Sequence, residues 1–593
     1  MGLLQQAVKT YDVMDKIGLV GKYEEGKEPL APIGHIIANA KIEVTIDKDG
    51  SFISAQKVDK KIIIPVTEES SGRTSAPAPH PICDNLGYLL GSDNKKTELF
   101  LSQLANWSES IYGDEKVAAV YKYVLKRRMM EDLKRAELIK IEKDEIKNEK
   151  DMVCWRIIGF GENSGAVYEG STLRKYSEHY VALKKKENKQ ICYVMGEEDA
   201  PANQHLKGIV ALNGNAKIIS ANDSANFTYR GRFCDENEAL SIGYIASQKA
   251  HNVLKWLVAN QGDIIGGRSY ICWNPNGKVV PSIKSPLLTN SDDKLIPTDY
   301  KNALKEVLLG YQADLGADED VVIASFDAAT TGRLSIGYYG ELKGSDFLER
   351  LEYWDETCCW YDGKYGTYAP LLMNIVLCAF GNQRGNDEAA KIDVDDKIKN
   401  QQMYRLIKCR IEKARIPTDF VKLITERASN LQIYNKANRR KLLFTACAVI
   451  NKYYCDYGKE GYEMSLEASK KDRSYQYGRL LAVLEKIEKD TYGREENRET
   501  NAIRMQSVFV KRPAYATKII IEQLKNGYYP KLRSGTRVYY DKIIGQIMEV
   551  ISEFGDKEYN KSLSESYLLG YYLQKNDLYA KKNDNEQEDE ENE

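Results

Sequence analysis

The chain has 593 residues, too many for one hydrophobic core and enough for two to four domains. It is 42% hydrophobic and 29% charged, an ordinary soluble globular composition, and its net charge of −2 argues against a free-standing nucleic-acid binder. Eleven scattered cysteines, with no CxxC pair, argue against a disulfide scaffold or a cysteine zinc site.

Taken in chain order, "MGLLQQAVKTYDVMDKIG" has the spacing of an amphipathic helix. It lacks the basic start, continuous apolar run and cleavage site of a signal peptide. Gly2 is not followed by Ser or Thr at position 6, so myristoylation is not indicated. No run of about 18 apolar residues occurs, and a cytoplasmic protein is expected. "IEVTIDKDGSFISAQKV" alternates apolar and polar residues around "KDG", a hairpin signal, and "KKIIIPV" predicts a further short strand ended by Pro65. Ser70 to Gly91, "SSGRTSAPAPHPICDNLGYLLG", is crowded with proline and glycine. It reads as a constrained loop, whether catalytic, ligand-clamping or merely connecting.

Residues about 113 to 150 read as one long charged helix. "VCWRIIGFGENSG", "ICYVMGE" and "AKIISAN" predict short strands. "GFGENSG" lacks GxGxxG spacing and opens no helix, so a hairpin loop is expected there. "ALSIGYIASQKAHNVLKWLVAN" predicts an apolar helix, "RSYICWNPNG" a strand ending in a turn, and "DVVIASFDAATTGRLSIGYYGEL" two strands. "SDFLERLEYWDETCCW" is helical. From about residue 386 helical periodicity takes over. In "SYQYGRLLAVLEKIEKD", Tyr477, Leu480, Leu481, Leu484 and Ile487 place an apolar stripe on one face. The expected fold is α+β and multidomain: a mixed strand and helix body over 1–385, an all-α helical bundle over 386–580, and a disordered acidic tail over 581–593.

None of the five histidines, His35, His80, His179, His205 and His251, has metal-ligand spacing, and structural or surface roles are expected for them. No P-loop and no nucleophile elbow is present. No catalytic constellation stands out, so a non-enzyme without metal or cofactor is expected. The open alternatives are a metal-dependent nuclease with a dispersed site and a scaffold that touches only protein. From Gln401 to Val550 there are 30 Lys+Arg against 17 Asp+Glu, a local +13 that reads as a footprint for a polyanion. Forty tyrosines against 12 phenylalanines suit wet interfaces and base stacking.

"GRTSAPAPHPICDNLGYLLG" resembles an N-terminal signature of the large subunit of the type I-C CRISPR surveillance complex (Cascade). "CYVMGE" at Cys192, followed by His205 and "AKIISAN", is similar to that family's Cys-x-x-x-Gly-Glu element. "SFDAATTGRLSIGYYGELKGSDFLERLEYWDETCCW" is similar to its Asp-x-x-x-x-x-Gly-Arg segment, and "YQYGRLLAVLEKIE" to its Tyr-x-x-Gly-Arg-Leu helix. The family's Ser-Tyr-Gly run is matched only in part by "TYRGR". The resemblance spans about residues 1 to 555 and implies a non-catalytic subunit of an RNA-guided complex. It implies recognition of the protospacer-adjacent motif (PAM) in double-stranded target DNA, support of the R-loop and displaced strand, and help in recruiting the helicase-nuclease. The implied partners are the guide RNA (crRNA) ribonucleoprotein, the backbone and cap subunits, and a helical small subunit.

On this resemblance, Ser70, Ser71, Gly72, Arg73, Thr74 and Ser75 are candidates for contact with PAM-region DNA, with Arg73 able to fork onto guanine or phosphate. The competing reading packs this loop within the body or against a neighbouring subunit, with Arg73 paired to a carboxylate. Arg439, Arg440 and Lys441 at a helix start, Lys511 and Arg512 before Pro513, and Lys531, Arg533 and Arg537 around a glycine turn are candidates for the phosphates of displaced or target DNA. The family also makes its C-terminal part separately by internal initiation. Met464 is the candidate start, because Lys459-Glu460-Gly461 can be encoded by a purine-rich ribosome-binding sequence; the product would be residues 464–593.

Overall fold

The computed structural model describes the chain except residues 74–75, 91–93, 143–144, 212–213, 220–239, 266, 289–293, 331, 386, 460, 494–495, 497, 556–557 and 592–593. At 94, 142, 145, 329 and 581–591 it describes the backbone alone. The expected α+β multidomain class is what is found. The chain forms two compact units: Met1–Val279 with Asp320–Leu342, and Val280–Glu319 with Lys343–Glu593. The division therefore lies at 343 with an earlier excursion, and not at 386. Among the contacts that set it is a pairing no local pattern announces. Buried Arg410 reaches Asp355 at 3.0 Å and the carbonyl oxygens of Ile283 and Ser285, drawing three distant segments into the second unit.

The first unit holds two four-stranded sheets. Strands β1 (His35–Asp47) and β2 (Phe52–Pro65) make the expected hairpin around "KDG", with Gly50 at φ +70° in its turn. "KKIIIPV" is not a separate strand: β2 runs through it, with a register shift in the pairing near Ala40 and Ile42 absorbing the bend. Strand β3 (Met152–Ile158) joins β1 in parallel, and β4 (Gly165–Ala166) folds back on it, so "GFGENSG" is the hairpin loop expected. The second sheet has the order β8-β7-β6-β5, from Asp263–Ile265 (β5), Arg268–Trp273 (β6), Asp320–Thr330 (β7) and Arg333–Lys343 (β8). Helices Leu3–Lys16 (α1) and Tyr244–Gln261 (α2) pack with it around Leu254, Trp273 and Phe326.

Residues 113–150 are not one helix. Helices Glu115–Leu125 and Met129–Arg135 are separated by a reversal at Arg127 (φ +52°), and a two-strand pair follows Glu137 (φ +57°). Val117, Val120, Val124, Met129 and Leu133 all enter one core, which a straight helix could not arrange. "ICYVMGE" shrinks to the two-residue pair Gln190–Ile191 with Glu198–Asp199 around a turn at Gly196. In "AKIISAN" only a single bridge, Lys217 to Arg333, is made among the described residues.

The second unit is mainly helical. Helices Gly344–Thr357 (α3), Lys436–Asp456 (α4), Arg473–Lys489 (α5), Pro513–Gly527 (α6), Ser534–Ser552 (α7) and Ser566–Glu591 (α8) matter below. The assigned helix α8 continues through the acidic tail to Glu591. Helix α5 is more buried than its stripe suggests, since every residue from Arg473 to Glu488 is enclosed by α6, α7, α8 and the turn Asn501–Arg504. Its polar side chains are satisfied inside. Arg479 donates to Gln574 at 3.0 Å and to the Ala468 carbonyl at 2.6 Å, and Glu485 accepts from Tyr571 and from Lys575 at 2.8 Å. Helices α5 and α8 touch backbone to backbone at Gly478 and Gly570. A β-carbon there would stand 1.9 Å from the Tyr567 carbonyl oxygen or 2.0 Å from that of Tyr475. Among the described residues no helix is long and apolar enough to cross a membrane, and no group of three His, Cys, Asp or Glu could hold a metal ion.

All five histidines lie in the first unit and are buried. Burial pushes His35, His80 and His251 down to about 4 and His205 to about 3. The unfolded chain takes up these protons near the ordinary value of about 6.5, so the folded unit binds fewer protons below it. The histidine contribution to stability is thus complete above about pH 6.5 and falls away toward pH 4. The second unit has no histidine to respond. We expect hydrogen exchange between pH 7.5 and 5 to lose protection in the first unit before the second; equal loss, after correction for intrinsic exchange, would contradict this.

Candidate nucleic-acid interface

The loop singled out in the sequence is a braced element. Thr67 caps the short helix Glu68–Gly72, and Ser70 and Ser71 are buried. Ser70 Oγ meets His80 Nδ1 at 2.9 Å, and Ser71 Oγ donates to the Glu68 carbonyl. At Gly72 a β-carbon would stand 2.1 Å from Gln204 Oε1, so a side chain there would displace the Gln204 amide. Arg73 closes the loop. It forks onto Asp84 at 2.7 and 2.6 Å, donates to the Ala78 carbonyl at 2.8 Å and lies 4.6 Å over the Tyr88 ring. Asp84 is fully buried and also accepts from the His80 and Asn85 amides. Of the six candidate contacts, two are therefore buried and Arg73 is paired to a carboxylate, as the competing reading had it. Thr74 and Ser75 lie outside the described residues.

The candidates of the helical unit divide the same way. Arg439 pairs with Glu499 at 2.7 Å and donates to the Tyr434 carbonyl. Arg440 forks onto Asp362, which is 1% exposed, with Nε at 3.0 Å. Lys441, Lys511, Arg512, Lys531 and Arg533 have no ion-pair partner among the described residues. Lys511, Arg512, Lys531 and Arg533 are exposed, whereas Arg537 is half-buried. Lys531 and Arg533 do not flank a glycine turn: Gly535 lies inside α7, because that helix starts at Ser534, directly after Arg533.

Beside Lys441 the structure assembles a cleft that the sequence did not announce. Strands Trp360–Asp362 and Gly366–Tyr368 form a hairpin whose tip carries Lys364 and Tyr365. Asp362 locks that tip, accepting from the Lys364 amide at 2.8 Å, the Tyr365 amide at 3.1 Å and the Tyr572 hydroxyl at 3.2 Å. Facing the hairpin is the first turn of α4, with Lys436, Ala437, Arg440 and Lys441, and Asn374 and Thr445 complete the lining. Tyr368 stacks on Phe444 with ring centroids 4.0 Å apart. The readable signal was "WYDGKYGTY", a turn-forming Asp-Gly between aromatics; its placement against residues 436–441 was not readable.

Met464 lies between α4 and α5, in a segment without helix or strand. The residues after it contain α5 together with the four helical elements packed on it, while α8 packs also on α4.

Replacing Arg73 with Ala strands a buried carboxylate, at a cost of about 3–5 kcal/mol. We expect R73A to lower the unfolding midpoint of the first unit and R73A/D84N to recover most of the loss. Duplex binding by assembled complexes carrying the double variant then separates brace from contact: retained binding identifies a brace, abolished binding a contact.

No curated protein matches the chain. A family model described as CRISPR-associated protein (Cas_Csd1) matches residues 19–579, so the match runs through both units and takes in the braced loop, the cleft and every candidate cation. The chain belongs to the Cas_Csd1 family of CRISPR-associated proteins.

Proposed function

We propose that this chain is the non-catalytic large subunit of a type I-C RNA-guided surveillance complex. In this reading the first unit helps to read the PAM in duplex DNA, and Arg73 of that unit ties Ala78 and Asp84 together. The second unit supports the displaced strand, and the assembly helps to recruit the helicase-nuclease. Guide pairing reads most of the target, so the protein's share is a short duplex motif and the backbones around it. The partners are the crRNA ribonucleoprotein, the backbone and cap subunits, and a helical small subunit.

The observation that carries the reading is that the helical unit keeps exposed cations without carboxylate partners among the described residues, Lys511, Arg512, Lys531 and Arg533 among them, on a chain of net charge −2. Arg73, Arg410 and Arg440 are held by buried carboxylates. Those four cations are not. The dependence of DNA binding on salt tests them. Each phosphate that is no longer neutralised should reduce the slope of log K against log salt by about 0.9 on duplex or about 0.7 on single strand. Assembled complexes with all four residues changed to Ala should show a slope shallower by roughly two to four units, and an unchanged slope would sink the reading. Arg439 and Arg440 are poor choices for this test, since reversing them breaks ion pairs to Glu499 and Asp362.

We further propose that translation also starts at Met464. The helical elements with the most contact to α5 all follow Met464, which supports it, whereas Tyr462, which stacks on Tyr475, precedes it. Silent changes over the Lys459–Gly461 codons should remove a small second band of 130 residues on a gel; persistence of that band would exclude this start.

A further inference from the structure

We propose that the cleft between the Trp360–Tyr368 hairpin and the start of α4 is a nucleotide pocket, taking one base and its phosphate from a single DNA strand or from a free nucleotide. For the strand as source it rests on the reading above, in which displaced DNA runs over the second unit.

The cleft encloses about 440 Å³, within the usual range of small-ligand sites. Three kinds of group that a nucleotide needs meet there. The first is a platform. Tyr365 is 48% exposed and carries the Arg440 guanidinium 4.4 Å from its ring centre, and such a ring is what a nucleobase stacks on. The second is charge. Lys364, Lys436 and Lys441 line the cleft without a carboxylate partner among the described residues. The one acid in the lining, Asp362, is 1% exposed and already taken by Arg440, Tyr572 and two turn amides. Three like charges around one space repel one another, and an entering phosphate removes that repulsion. The third is an edge reader. The Asn374 side-chain amide makes no hydrogen bond among the described residues, leaving a donor and an acceptor beside the platform. An amide of this kind pairs two-fold with adenine.

The parts are also held in place. Asp362 clamps the hairpin tip to Arg440, and the stacked Tyr368 and Phe444 rings tie the hairpin to α4. A chance crevice between loops has no such brace. Preorganisation keeps the ordering cost of binding low.

The test uses the full chain, with fluorescence anisotropy of labelled oligodeoxyadenylate and oligothymidylate, and with AMP and ATP as competitors. Tyr365→Ala should weaken nucleotide binding by about tenfold, while Tyr365→Phe keeps affinity near the parent. Asn374→Leu should erase a preference for deoxyadenylate over thymidylate. Lys436→Ala/Lys441→Ala should weaken binding and flatten its salt dependence. Matching thermal unfolding of Tyr365→Ala and parent removes misfolding as a cause. Tyr365-dependent binding of strands that ATP does not displace assigns the pocket to a strand. Tyr365-dependent binding of AMP or ATP alone keeps the nucleotide pocket and overturns the strand as its source. Binding of neither, or binding equal in Tyr365→Ala and parent, overturns the proposal. The reading above fails separately: changes at Lys511, Arg512, Lys531 and Arg533 would then leave complex binding to DNA untouched while AMP still depends on Tyr365.

Discussion

A carboxylate removed from water must have a cation or dense hydrogen bonding, and this requirement organises both units. Glu43, Asp84, Asp355 and Asp362 are each 3% exposed or less. Each has its cation: Lys60 at 2.6 Å, Arg73 at 2.6 Å, Arg410 at 3.0 Å, and Arg440. Burial alone would raise the Glu43 carboxyl, but hydrogen bonds from Lys60 and Tyr168 bring it down to about 2. The Asp355–Arg410 and Asp362–Arg440 pairs join segments that the chain order keeps apart, by 55 and 78 residues respectively. Each also withdraws a cation from the surface, so the acids decide which basic residues are left for a nucleic acid.

That sorting separates two sorts of arginine that look alike in a sequence. Arg73 sits in a run dense with glycine and proline, and by type alone it is fit for a base edge or a phosphate. Three of its five N–H donors go to Asp84 and Ala78. Lys511 and Arg512 stand in an ordinary helical stretch and remain open to solvent. Between these extremes lies the Asp362 hub, where the ion pair with Arg440 holds the backbone of the hairpin tip and leaves Tyr365 and three lysines facing a cleft.

The helical unit depends on a second constraint, the approach of α5 to α8. Two glycines, Gly478 and Gly570, allow the contact, and a methyl group at either would collide with a carbonyl. Close backbone approach then encloses α5 on all sides, and its charged residues must find partners inside, as Arg479 and Glu485 do. The apolar stripe of α5 was legible from its period, but its complete burial was not. Period reports which face is apolar and cannot report that polar faces will also be covered.

What the sequence determined by itself was local: the amphipathic first helix, the "KDG" hairpin, the "GFGENSG" loop, the strand pair around "DAATTG", the helices of the last third, and the family signature. These follow from side-chain period, turn residues and motif order, each read within a window of a few dozen residues. The tertiary structure decided the rest. It broke the helix expected over 113–150 so that Val120 and Leu133 could share a core, and it placed the unit boundary at 343, with the Arg410–Asp355 pair among the contacts that span residue 386. It paired Arg73 with Asp84 and brought residues 362–374 to residues 436–445 as a lined cleft. The reason is physical: a charge is free or spoken for according to which buried carboxylate lies within about 3 Å of it, and that distance exists only after folding.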